Sequence, residues 1–212
     1  MVPKKNKIRK SIIKRKTNEV DIKGKFVIDG AGKGKIDSGF QPLDHLLDLF
    51  AFHGFFDLNL FAKGDLQHHI IEDIGIAMGK AFKSALGSMS GINRYGSFSL
   101  VMDKVVVETN IDISGRPSLH YEIATGNKTK VQSILSSDNF DGIKFTFKDA
   151  EEFLEGFVKH ASLSLVYIVK SADGDLHHLL EALFKSLGKS LDQASQINRR
   201  RKGVPSTKGI ID

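Results

Sequence analysis

The chain has 212 residues, 41% hydrophobic and 26% charged, the composition of a folded domain or of two small ones; no apolar run reaches membrane-span length and no signal-type apolar core follows the basic start, so a cytoplasmic location without a membrane partner is expected. With no Cys, disulfides and thiolate ligands are excluded, and any metal site must be built from His and carboxylates. The net charge of +6 lies at the ends, with eight Lys/Arg and no acid in residues 1–16 and four more in 199–202, which leaves an acidic body; basic arms without interleaved aromatics read as solvated termini and not as a nucleic-acid surface.

In chain order, a basic N-terminal arm (1–14) leads into a first half-domain (15–125). Strands are expected over 11–16 and 20–28. The glycine-rich stretch 29–34 lacks a following GK[ST] and reads as a hairpin turn instead of a phosphate cradle, with 36–38 as the return strand. Pro42 suits the first turn of a helix whose apolar stripe is Leu43, Leu46, Leu47 and Phe50 and which ends at Gly54; His45 lies beside that stripe, with His53 two turns on. Residues 56–61 alternate as a half-buried strand. His68-His69-Ile70-Ile71-Glu72 then opens a helix that buries Ile70, Ile74, Ala77, Met78, Ala81, Phe82 and Ala85 before Gly87.

Strands are expected over 95–101, 104–113 and 118–124. The polar stretch 126–142 is the expected connecting loop between halves. A second half-domain (143–198) reads as a strand over 143–147, a helix over 149–160 with Phe153, Leu154 and Phe157 inward, a strand over 162–170, and a last helix with the stripe Leu179, Leu180, Leu183, Phe184, Leu187 and Leu191. Residues 199–212 form a C-terminal tail.

That last helix opens on His177-His178-Leu179-Leu180-Glu181, a second HHxxE half a chain from the first. Two copies of so rare a string indicate internal duplication and predict an α+β fold of two half-domains, with sheets covered by paired helices. His68 and Glu72 stand at i and i+4 and share a helix face, as do His177 and Glu181, whereas His69 and His178 point about 100° further round. Each turn can therefore face two centres, and a mixed imidazole and carboxylate set suits a pair of first-row divalent metals.

Further strings give the pattern a likeness. Gly39 with Leu43-Asp44-His45, His53-Gly54, Gly64-Asp65-Leu66, His68-His69 with Glu72-Asp73, Gly91-Ile92 with Arg94-Tyr95-Gly96, Asp112-Ile113-Ser114-Gly115-Arg116-Pro117 and Pro205-Ser206-Thr207-Lys208-Gly209 follow one another as in imidazoleglycerol-phosphate dehydratases, which the chain resembles from about Arg15 onward. The resemblance implies a helix bundle packed between two β-sheets. It implies a lyase of histidine biosynthesis that dehydrates imidazole glycerol phosphate to imidazole acetol phosphate through a metal-stabilised imidazolate. It also implies two Mn2+ per active site and a 24-mer homo-oligomer with sites shared between subunits. By the same resemblance His45, His69, Glu72 and His178 hold one metal, and His68, His177, Glu181 and the Glu152 position hold the other. Arg94, Arg116, Ser206 and Lys208 are implied to bind the substrate phosphate, and Glu19 to act in acid/base chemistry.

The chain departs from the family at four places. Glu152 stands where the family usually has His, which would make that centre richer in oxygen. The segment between Leu66 and His68 is about three residues shorter and lacks an acid just before the His pair, a residue suited to orienting a ligand. Ile70 replaces Thr, and Lys104 replaces Glu. Two alternatives to the dehydratase are a hydrolase of another phosphorylated small molecule on the same scaffold and a non-catalytic, metal-stabilised assembly protein. The retained Glu19, Arg94, Arg116, Ser206 and Lys208 favour the dehydratase.

Overall fold

The computed structural model describes residues 8–124, 126 and 128–211. In order, the elements are β1 (Lys10–Lys16), β2 (Val20–Val27), β3 (Gly34–Asp37), α1 (Gln41–His53), β4 (Asp57–Gly64), α2 (Gln67–Leu86), β5 (Tyr95–Met102), β6 (Val105–Asp112), β7 (Ser118–Ile123), α3 (Lys128–Leu135), β8 (Asn139–Phe140), β9 (Ile143–Lys144), α4 (Phe147–Ala161), β10 (Ser164–Ser171) and α5 (Leu176–Ser195). Residues 1–7 of the expected basic arm lie outside the described residues; the end of the arm, from Lys10, is already strand β1. No helix among the described residues is long and apolar enough to cross a membrane.

Two four-stranded sheets have the orders β1-β2-β4-β3 and β5-β6-β10-β7. In each, the first three strands pair antiparallel and the fourth joins parallel, so the second sheet repeats the topology of the first. One face of each sheet is apolar, as strand alternation requires: Leu58, Leu60 and Ala62 in β4, and Val105, Val107, Thr109 and Ile111 in β6, are buried.

The helices fill the space between the sheets. α2 lies on β1 and β2, α5 lies on β5 and β6, and the helices pair across the halves, α2 with α4 and α1 with α5. This is the expected α+β arrangement, a helix bundle between two sheets. Both helix pairs approach backbone to backbone. A Cβ at Gly75 would lie 2.3 Å from the Phe153 carbonyl oxygen, one at Gly79 2.5 Å from that of Phe157, and one at Gly188 2.5 Å from that of Phe50. Beside these crossings Phe26, Phe50, Phe56, Phe82 and Phe157 form an aromatic cluster with centroid separations of 5.2 to 6.3 Å.

Three expectations are corrected. β3 is not the return strand of a hairpin with β2; it runs parallel beside β4 on the far side of that strand. The cause is Asp57, whose Oδ1 accepts the Ala31 and Lys33 amides at 2.8 and 3.1 Å and so draws the glycine-rich connection past β2. The expected strand over 143–147 is cut to the two residues of β9, because Thr146 and Asp149 form a reciprocal capping box that starts α4 at Phe147. The repeat also divides elsewhere. Topology starts the second copy at β5, so the chain passes between copies after α2, and the stretch 126–142 expected to connect the halves lies inside the second copy and carries α3 and β8.

Candidate metal centre

The α1–α5 pairing brings His45 to the first turn of α5. His45 Nε2 lies 2.5 Å and His177 Nε2 3.0 Å from the same atom, Glu181 Oε1, and the ligand atoms of the three residues lie within 4.8 Å of one another. Adjacent donors around a divalent ion with bonds of about 2.1 Å are about 3 Å apart, so two imidazoles and a carboxylate at these separations fit half a coordination shell. Lys185 Nζ donates to the other oxygen of Glu181 at 2.6 Å, which leaves Oε1 to the histidines. Burial of Glu181 favours its neutral form, but the hydrogen bonds from Lys185, His45 and His177 outweigh this and lower its pKa to about 2. The carboxylate is thus ionised and ready to bind a cation.

Two further side chains support the cluster. Asp141 Oδ2 lies 2.9 Å from His177 Nδ1, and the Phe140 ring stacks on the His177 ring with centroids 4.5 Å apart. Such contacts to the far side of a ligating imidazole fix its orientation.

The α2–α4 groove repeats the arrangement with different chemistry. Glu152 precedes the buried pair Phe153-Leu154 on α4 as His45 precedes Leu46-Leu47 on α1, while His68 and Glu72 on α2 correspond to His177 and Glu181. Glu72 and Glu152 line a cavity of about 330 Å³ with Ile76, Glu155, Lys159 and His160. Glu152 is 3.7 Å from Lys148 Nζ. Among the described residues, three donors meet ligand spacing only at His45, His177 and Glu181. Within one chain, His45 lies with His177 and Glu181, and Glu72 lies in the other groove with Glu152, because helices pair between halves.

The second His of each pair is held by an acid that precedes its helix. His69 Nδ1 lies 2.7 Å from Asp65 Oδ1, and His178 Nδ1 lies 2.7 Å from Asp175 Oδ1. The hydrogen bond to Asp65 raises the pKa of His69 and lowers that of Asp65; the bond to Asp175 likewise raises His178. Burial opposes ionisation of Asp175, yet its bonds from the His178 amide and ring keep its pKa low. The segment between Leu66 and His68 holds only Gln67, and the acid that orients His69 is Asp65, just ahead of it. The turn bearing Glu19 is at this end of α2, since the Glu19 carbonyl accepts the Asp65 amide at 3.1 Å and the Glu19 charge contributes to the raised pKa of His69.

The other group of expected site residues gathers at the C-terminal end of α5. The Arg94 amide donates to the Ala194 carbonyl at 2.8 Å. Its guanidinium grips Asp112 through two bonds of 2.6 and 3.0 Å and donates to the Pro205 carbonyl at 3.0 Å, which ties the tail to the strand preceding Ser114-Gly115-Arg116-Pro117. Arg116 and Lys208 are exposed, and Ser206 Oγ accepts the Lys208 amide at 3.2 Å.

The sequence profile of the imidazoleglycerol-phosphate dehydratase family matches residues 38–191. The chain belongs to this family. Curated dehydratases from Thermoanaerobacter sp. (strain X514) and Bacillus licheniformis are 41% and 42% identical, each over 96% of this chain and 100% of its own length. The crystal structure of the Staphylococcus aureus dehydratase matches with a TM-score of 0.75 at 28% identity, covering 89% of this chain and 99% of that one. The Pyrococcus furiosus enzyme, solved in complex with (S)-C348, matches with a TM-score of 0.74 at 31% identity over 92% and 98%.

Asp65, Phe140, Asp141, Asp175 and Lys185 touch the candidate ligands, and sequence reasoning did not single them out. Lys185 stands at i+4 from Glu181 and Asp175 at the helix N-cap, both readable signals. Asp141 showed only an Asp-Gly turn in a polar stretch.

Proposed function

We propose that the chain catalyses the dehydration of imidazole glycerol phosphate to imidazole acetol phosphate in histidine biosynthesis. The observation that carries this reading is the convergence of His45, His177 and Glu181 on one point in a chain of this family. The donor set of His45, His177 and Glu181 suits one Mn2+ ion; a second would draw on Glu72 and Glu152, which line the α2–α4 groove, and on His68 at the start of α2. When bound, the ions act as Lewis acids at the nitrogens of the substrate ring and stabilise the negative charge that develops on it.

A single chain cannot span the substrate. From His178 to Ala194, which anchors Arg94, α5 runs sixteen residues, about 24 Å. From His68 to Lys83, which bonds to Ser162 beside the Gly115 amide, α2 runs about 22 Å. The ring and phosphate of the substrate are joined by a three-carbon chain of about 7 Å at ordinary bond lengths. Arg94, Arg116, Ser206 and Lys208 of one copy therefore serve the metal centres of another, and His69 and His178 complete those centres across the same contacts. Self-association into a closed assembly, a 24-mer, satisfies this requirement. Arg116 and Lys208 give the charge-assisted bonds that a phosphate dianion needs, Arg94 holds the tail that presents Ser206 and Lys208, and Glu19 moves a proton at the carbon chain while the adjacent hydroxyl leaves as water.

The test incubates purified protein with Mn2+ and imidazole glycerol phosphate and follows the enolisable ketone. Turnover that is lost on chelation and restored by Mn2+ is expected. No ketone from protein with two bound ions per chain would overturn the reading.

A further inference from the structure

The β8–β9 ribbon, whose first strand and turn lie in the stretch that sequence pattern left as a polar loop, reaches the His45–His177–Glu181 cluster. Phe140 pairs with Ile143, so Asp141 and Gly142 alone form the turn, with φ of 52° and 81°. Two consecutive positive φ values define the tight hairpin that suits right-twisted strands, and Asp-Gly is one of the sequences that adopts it readily. Asn139 Oδ1 accepts the Gly142 amide at 2.6 Å and fixes the turn further. Phe140 is buried and set edge-on against Phe145, centroids 5.9 Å apart, which anchors the ribbon to the core.

This rigid turn makes two contacts with one imidazole. Asp141 Oδ2 lies 2.9 Å from His177 Nδ1, and the Phe140 ring lies 4.5 Å from the His177 ring at an interplanar angle of 23°. The same phenyl ring meets His45 edge-on at 6.3 Å, and a cavity of about 290 Å³ opens between Phe140, Ile143, Pro42 and the two histidines. A carboxylate cannot donate and its negative charge favours a proton on the adjacent ring nitrogen, so this proximity favours the Nδ1–H form and leaves Nε2 as the nitrogen that can ligate. The stacked ring fixes the plane in which Nε2 points at the site shared with His45 Nε2 and Glu181 Oε1. Asp141 itself is largely exposed, with 67% of its side-chain surface accessible, so burial gives no reason for a carboxylate at this place.

We propose that the Phe140–Asp141 hairpin is a positioning element for His177, with Asp141 selecting the ligating nitrogen and Phe140 the ring plane. Divalent-ion affinity at the His45–His177–Glu181 centre then depends on a residue that touches neither ion nor substrate. The inference rests on the metal centre proposed above.

The experiment measures Mn2+ affinity of the assembled full-length protein by competition with a chelator, for wild type, Asp141→Gly and Asp141→Asn. Both variants keep a residue that accepts positive φ, so the turn survives in each. Only Asn keeps an oxygen able to accept from Nδ1. Asp141→Gly is expected to weaken one class of site by about 10- to 100-fold without changing the number of ions bound, and Asp141→Asn is expected to recover most of that loss. Equal affinities for wild type and Asp141→Gly would overturn the positioning role while leaving the metal centre standing. A wild-type protein that binds no Mn2+ would overturn both.

Discussion

Glu181 is the most heavily loaded side chain of the site, and replacing it with Gln tests the electrostatic account directly. In the metal-free protein its pKa is about 2 against an ordinary value of 4.5, because Lys185, His45 and His177 all donate to it. A folded-state pKa below the unfolded value means that the stabilisation is fully present above pH 4.5 and is lost as pH falls toward about 2. Two and a half units at about 1.4 kcal/mol each set an upper limit of about 3.5 kcal/mol, and screening by water at the groove mouth reduces this to about 2 kcal/mol. For a chain of this length that is a loss of roughly 4 to 8 °C in melting temperature. Thermal unfolding in excess chelator should show Glu181→Gln lowered by this amount at neutral pH, with the gap to wild type closing as the pH drops below about 4.5. A gap that stays constant across that range, or none at neutral pH, would refute the reasoning.

Other outcomes follow from the same geometry. Gly75→Ala improves helix propensity by about 1 kcal/mol but puts a methyl group 2.3 Å from the Phe153 carbonyl oxygen, so α2 and α4 must separate by about 1 Å; a net fall in melting temperature and weaker Mn2+ binding in that groove are expected, and an unchanged or higher melting temperature would count against the close crossing. Glu152→His makes the two grooves alike in donor type and should raise affinity for Zn2+ relative to Mn2+, measured by chelator competition. Arg94→Lys cannot reproduce the two-bond grip on Asp112 together with the bond to Pro205, so limited proteolysis should release the tail after residue 198 sooner than in wild type.

Local pattern was enough for most elements. The alternation of Leu58, Leu60 and Ala62, the stripe from Ile70 to Ala85, and the repeated HHxxE each carried their own signal within one segment. Partnership between segments was not legible. That β3 passes β2 to lie beside β4 depends on Asp57 capturing the amides of a loop far ahead of it in the chain. The grouping of His45 with Glu181, and not with Glu72, depends on α1 pairing with α5, a choice made by backbone contacts at Gly54 and Gly188 that no helical period encodes. α3 and β8 were hidden because their apolar residues are few and spaced among polar ones; Val131, Ile134 and Phe140 are the buried ones. Asp141 became a site residue only once its turn was placed over α5.

The pairing of helices across halves bears on how unequal the two grooves are able to become. A dimer of identical half-chains would build both grooves from the same gene, so any exchange of His for Glu would alter both at once. Covalent joining of the halves removes that constraint. His45 and Glu152 occupy matching places in matching grooves, yet each is encoded separately. One groove can keep its imidazole while the other shifts toward oxygen donors, and the scaffold around them stays symmetrical.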